Sequence, residues 1–91
     1  MKRKVIFKFR LYVAADTQNS VQAAGNLTAF CQEYLPDRHE IEYVDVFKEP
    51  NRALEAGVRM TPTLLKVSPA PEQRIIGNLS DTQRIRDTLG L

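Results

Sequence analysis

The chain is poor in the side chains that thiol, metal and membrane chemistry require. One cysteine, Cys31, one histidine, His39, and no tryptophan occur in 91 residues. A lone thiol excludes an internal disulfide and a paired CxxC redox motif. One histidine and one cysteine cannot make a zinc site, so no metal is expected. No apolar run approaches the roughly 18 residues that a membrane-spanning helix needs. The opening Met1-Lys2-Arg3-Lys4 is basic, but Lys8 and Arg10 interrupt the apolar stretch behind it, so no secretory signal is read and the expected location is the cytoplasm. A net charge of +2 is too small to imply nucleic acid, and the Lys2-Arg3-Lys4 run reads as a solvated terminus. There is no glycine-rich phosphate loop and no paired-carboxylate site, so no cofactor and no catalytic residue are expected.

The residues present specify an ordinary α/β domain. The length allows one domain, residues 1–91, with a modest core. At 43% hydrophobic and 26% charged residues, the composition is that of a folded chain rather than a disordered one. In residues 5–13, Phe7, Phe9, Leu11 and Val13 alternate with Lys8 and Arg10, the period of a strand. A helix follows, with Val21, Ala24, Leu27, Cys31 and Leu35 on one stripe widened by Phe30 and Tyr34. Asp16, Thr17, Asn19 and Ser20 all offer an N-cap, and Pro36 stops the helix. Gly25 weakens its interior.

A second strand is expected over Glu40–Phe47, where Ile41, Val44, Val46 and Phe47 fail to alternate, as in a strand covered on both faces. The unit is βαβ, with parallel strands. Pro50 opens a short helix with Ala53 and Leu54 inward, and Gly57 closes it in a left-handed conformation. Thr63–Val67 and Arg74–Ile76 read as a hairpin around Ser68-Pro69-Ala70-Pro71. Ser80-Asp81-Thr82-Gln83 is a capping-box pattern opening a last helix with Ile85 and Leu89 inward. The order β-α-β-α-β-β-α is that of the thioredoxin-like fold.

In such a frame a redox nucleophile sits after the first strand, where helix N–H groups lower a thiol's pKa. Here residues 14–20 read Ala-Ala-Asp-Thr-Gln-Asn-Ser. No cysteine is present, and Thr17 and Ser20 have no neighbouring base, so both read as helix caps. Cys31 falls on the apolar stripe and reads as a buried small hydrophobe. His39 reads as a surface residue in a polar connection, and Asp45 as a structural hydrogen-bond acceptor. Pro62, in Thr61-Pro62-Thr63, reads as the cis-proline landmark that opens the third strand of this fold, the competing reading being an ordinary trans-proline at a strand start.

The segments Leu11-Tyr12-Val13-Ala14, Asn19-Ser20-Val21, Val44-Asp45-Val46, Thr61-Pro62-Thr63-Leu64 and Arg74-Ile75-Ile76-Gly77-Asn78-Leu79-Ser80 together resemble the KaiB family of circadian clock proteins. The resemblance runs over nearly the whole chain. It implies a non-enzymatic protein that binds the N-terminal ATPase ring of KaiC, and in clock systems goes on to sequester KaiA and compete with the kinase SasA. It also implies two folds: a ground state, commonly a homotetramer with a rearranged C-terminal half, and a monomeric thioredoxin-like form that binds KaiC. Pro62, Pro69 and Pro71 are the residues at which slow X-Pro isomerisation would accompany such a switch. The thioredoxin-like form is expected here, because the charge spacing of Asp81, Arg84, Arg86 and Asp87 suits a helix and makes a poor strand.

By the same resemblance Lys66 and Arg74, expected close together in the hairpin, match basic positions used toward KaiC. The first helix and the edge of the second strand, Glu42 and Tyr43, are the other partner surfaces implied. Glu40 and Glu42 stand where clock-type members carry a small residue and a lysine, which argues against a KaiA-type partner and for a divergent paralogue. Gly57 likewise replaces a frequent lysine. Two other readings compete: a sensory domain like that of SasA, and a redox enzyme, which the missing thiol disfavours. A role in stress signalling rather than timing is open.

Overall fold

A computed structural model describes residues 5–91, and the Lys2-Arg3-Lys4 run lies outside them. The elements are β1 (Phe7–Val13), α1 (Gln18–Tyr34), β2 (His39–Asp45), α2 (Pro50–Glu55), β3 (Thr63–Ser68), β4 (Gln73–Ile76) and α3 (Thr82–Leu89). The sheet runs β2-β1-β3-β4. β1 and β2 are parallel, β1 and β3 antiparallel, and β3 and β4 close an antiparallel hairpin. The expected α/β order is what the chain adopts.

β1 is central, with Phe7, Phe9 and Leu11 buried on one face and only Tyr12 buried on the other. Phe7, Phe9 and Leu11 pack with Ala23, Leu27, Phe30 and Cys31 of α1 and with Ile85 and Leu89 of α3. On the other face Tyr12 joins Val44, Leu65 and Ala53 of α2 in a smaller cluster. Thus α1 and α3 cover one face and the short α2 covers part of the other.

Several expectations need correction. β2 is an edge strand, not a doubly covered one, and of its residues only Val44 is buried. It ends at Asp45, whose Oδ1 accepts the Phe47 N–H at 2.9 Å; this turn takes Val46 and Phe47 out of the strand and explains the broken alternation. Asp45 is thus the structural acceptor expected. In α1 the buried stripe is Ser20, Ala23, Leu27, Phe30 and Cys31, and Val21 is 58% exposed. One residue turns a helix by about 100°, so the phase set by Ala23 and Leu27 points Val21 away.

Thr17 is the N-cap residue of α1 but makes no side-chain cap bond. Leu54 of α2 is 74% exposed, because a helix of one and a half turns has room for a single inward residue, Ala53. The cap of α3 is Asp81 rather than Ser80: its Oδ1 accepts the Arg84 N–H at 3.1 Å. His39 is half-buried and heads β2, with Nδ1 2.7 Å from the Leu35 carbonyl oxygen. Gly57 has the expected positive φ of 69°. The peptide bonds before Pro62, Pro69 and Pro71 are cis.

Candidate partner-binding surface

Because β1 and β3 are antiparallel with Tyr12 opposite Thr63, the loop after β1 and the loop before β3 leave the same end of the sheet. Ile76 pairs with Thr63, so the loop after β4 leaves there too. This is the end where a thioredoxin-like enzyme keeps its thiol. In this chain it holds a hydroxyl turned inward: Ser20 is buried, and its Oγ accepts the Ala14 N–H at 3.0 Å. Ser20 therefore caps the end of β1, not the start of α1. Cys31 lies deep in the core, and desolvation pushes its thiol up to about 12. A thiol held protonated at neutral pH is a poor nucleophile.

The same end presents apolar side chains to solvent: Val21, Met60 and Ile76. The loop after β4 is tied to α1 through Asn78. Its carbonyl accepts from Asn26 Nδ2 at 2.8 Å, and its Nδ2 donates to Gln22 Oε1 at 3.1 Å. That tie supports Leu79, a buried residue at φ 64°, a conformation costly for a branched side chain.

The second feature is a polar row on the α2 face. Glu42, Arg10, Leu65 and Arg74 stand opposite one another on β2, β1, β3 and β4. Glu42 Oε1 accepts from Arg10 Nε and from Arg52 of α2, each at 2.9 Å, and Arg52 also pairs with Glu49 at 3.5 Å. The hydrogen bonds from Arg52 and then Arg10 hold the Glu42 carboxyl down to about 2. Its bond to Glu42 likewise raises Arg52, and Arg10 is raised by its bonds to Tyr12 and then Glu42. Beside this network a cleft of about 290 Å³ opens above Leu65, with Arg10, Arg52 and Arg74 on its walls.

The side chains offered for partner contact do not form one site. Lys66 and Arg74 are one register step apart, and that step puts them on opposite faces. Lys66 lies on the α1 face at 4% exposure, with Nζ 6.0 Å from the centroid of the Phe7 ring. Arg74 lies on the α2 face, where its guanidinium donates to the Gly57 carbonyl at 3.3 Å and to that of Ala56. Tyr43 is half-exposed at the β2 edge on the α1 face, opposite Leu11. Glu42 faces α2, committed to its two arginines, and Glu40 pairs loosely with Lys8 at 3.8 Å.

The roles of Arg10, Arg52, Ser20 and Asn78 escaped the sequence reading. A signal existed for the first: Lys8-x-Arg10 on one strand and Glu40-x-Glu42 on a parallel neighbour place opposite charges in register.

The architecture defines a thioredoxin-like domain. Fasciola hepatica thioredoxin superposes with a TM-score of 0.74 at 20% identity, covering 96% of this chain and 81% of that one. The N-terminal domain of Synechococcus elongatus SasA superposes with a TM-score of 0.70 at 21% identity, covering 99% and 89%. Such identities establish the fold alone.

The family is set by sequence. A family model described as the KaiB domain matches residues 10–91. The circadian clock protein KaiB3 of Synechocystis sp. (strain ATCC 27184 / PCC 6803 / Kazusa) is 43% identical over 76 residues, 84% of this chain and 74% of the relative. The circadian clock oscillator protein KaiB of Nostoc punctiforme is 38% identical over 85 residues, 93% and 82%. The chain belongs to the KaiB family. These relatives are named as clock proteins, not enzymes.

Proposed function

We propose that this protein is a non-enzymatic clock or signalling component that binds a KaiC-type ATPase in its thioredoxin-like form. The observation that carries the reading is the family match across residues 10–91. The end of the sheet supports it. The segment after β1 carries no cysteine, its Ser20 hydroxyl is buried against the Ala14 N–H, and Val21, Met60 and Ile76 are exposed at the same end of the sheet. A surface without a nucleophile but with exposed apolar side chains is suited to binding another protein.

No described helix is long and apolar enough to span a membrane. Tyr43 and the β2 edge remain the side chains best placed for direct contact from the second strand. A KaiA-type partner is disfavoured, because Glu42 stands where clock-type members carry a lysine and is held by Arg10 and Arg52 of its own chain. The 43% identity to a relative named KaiB3 supports the paralogue reading.

The test is co-elution of the chain with the KaiC-type ATPase of its own organism, in ATP and in ADP, alongside an insulin-reduction assay. The proposal expects a complex and no disulfide reduction. Insulin reduction abolished by Cys31→Ser, with no complex formed, would contradict it.

A further inference from the structure

We infer that Arg74 serves partner binding as a positioning residue: it fixes the segment from Ala56 to Pro62 and does not itself supply the charge that meets the partner. The effect on binding rests on the function proposed above, whereas the fixing of the segment concerns the free chain alone.

α2 is the shortest of the three helices. A helix of six residues is far below the length that holds itself together in water, and only Ala53 anchors it by burial. Its last carbonyls need donors. Ala56 N–H and Val58 N–H bond back to Arg52 and Ala53 at 3.1 and 2.9 Å, and among the described residues no loop or cap backbone N–H bonds to the Ala56 or Gly57 carbonyl. Arg74, on β4, reaches across and donates to both from its two terminal nitrogens.

A guanidinium fork can satisfy two adjacent carbonyls at once, and an ammonium on a flexible stem holds one poorly. The cationic head also suits the negative end of a helix. Gly57 completes the arrangement. Its φ of 69° turns the chain so that both carbonyls face Arg74, and the guanidinium nitrogens lie 3.9 Å from where a β-carbon would stand.

The segment held in this way carries Met60, 62% exposed, and leads into Pro62, whose carbonyl accepts the Gly77 N–H at 3.0 Å. Arg74 therefore holds the Ala56–Gly57 turn from which the chain runs on to Met60. Its charge is already directed at backbone oxygens of its own chain.

The experiment compares Arg74→Ala, Arg74→Lys and Gly57→Ala with the wild-type chain. Amide hydrogen exchange is read on the free proteins, and binding to the organism's KaiC-type ATPase is measured over a range of salt concentrations. Losing charge-assisted bonds should speed exchange at Gly57 and Val58 by about tenfold or more, with Leu64 and Ile75 as unchanged reporters of the folded sheet. Arg74→Lys should behave like Arg74→Ala. Gly57→Ala should reproduce the defect with every charge in place.

Binding should weaken in all three with an unchanged salt slope, because no intermolecular ion pair is lost. Unaltered exchange at Gly57 and Val58 in Arg74→Ala overturns the inference. So does wild-type binding by Arg74→Lys together with a shallower salt slope for Arg74→Ala. A wild-type chain that does not bind the ATPase overturns the proposed function instead, and the exchange arm still decides whether Arg74 fixes the loop.

Discussion

Ser20 Oγ accepts the Ala14 N–H at 3.0 Å, and both residues are buried. This one bond ties the end of β1 to the first turn of α1. Ser20→Ala leaves a buried N–H without an acceptor, which costs about 1–3 kcal/mol. Urea unfolding should show a lower midpoint with an unchanged slope. An unchanged midpoint would mean that the loop finds another acceptor.

Glu42 joins β1, β2 and α2, and this makes a pH prediction. A carboxyl lowered from 4.5 to about 2 contributes stability that is fully present above 4.5 and is lost as the pH falls through about 2. The carboxyl carbon of Glu42 should accordingly titrate below the usual carboxylate range by NMR. The side chains are 31–49% solvent-accessible, so screening holds each pair to roughly 0.2–1 kcal/mol. Glu42→Gln should cost no more than about 2 kcal/mol for the two pairs together, and molar salt should erase most of the difference.

Cys31 should be silent toward thiol reagents. With its thiol pushed up to about 12 and its side chain in the core, the native protein should not react with Ellman's reagent at pH 8, and it should react fully in urea. Rapid native reaction would place the thiol at the surface and reopen a redox role.

Leu27 is fully buried between α1 and the sheet. Leu27→Ala removes about 2–5 kcal/mol from a domain whose whole stability is of the order of 5–15 kcal/mol. Thermal unfolding should fall sharply, into the physiological range if the starting margin is at the low end.

The fold was largely readable because local signals agreed with one another. Strand alternation in Phe7–Val13, Pro50 and Gly57 around a short helix, and Ile85 and Leu89 four apart each marked an element correctly. The misreadings share one cause: they depended on which neighbour a residue meets. Val21 and Leu54 are apolar and sit beside true core positions, but the helix phase turns them outward. β2 reads like a buried strand only while Val46 and Phe47 are counted with it, and the Asp45 turn removes them.

Lys66 and Arg74 look alike in sequence, and the pleat sends them to opposite faces. An exposed apolar end has no motif of its own, so Met60 and Ile76 were not picked out by spacing.

The most direct test of the central claim is sedimentation velocity of the chain mixed with the KaiC-type ATPase of its organism in the presence of nucleotide. The chain should co-sediment with the ATPase ring, and Arg74→Ala and Gly57→Ala should both reduce the bound fraction. A chain that sediments only at its own rate at every ratio, while remaining folded by far-UV circular dichroism, would contradict it.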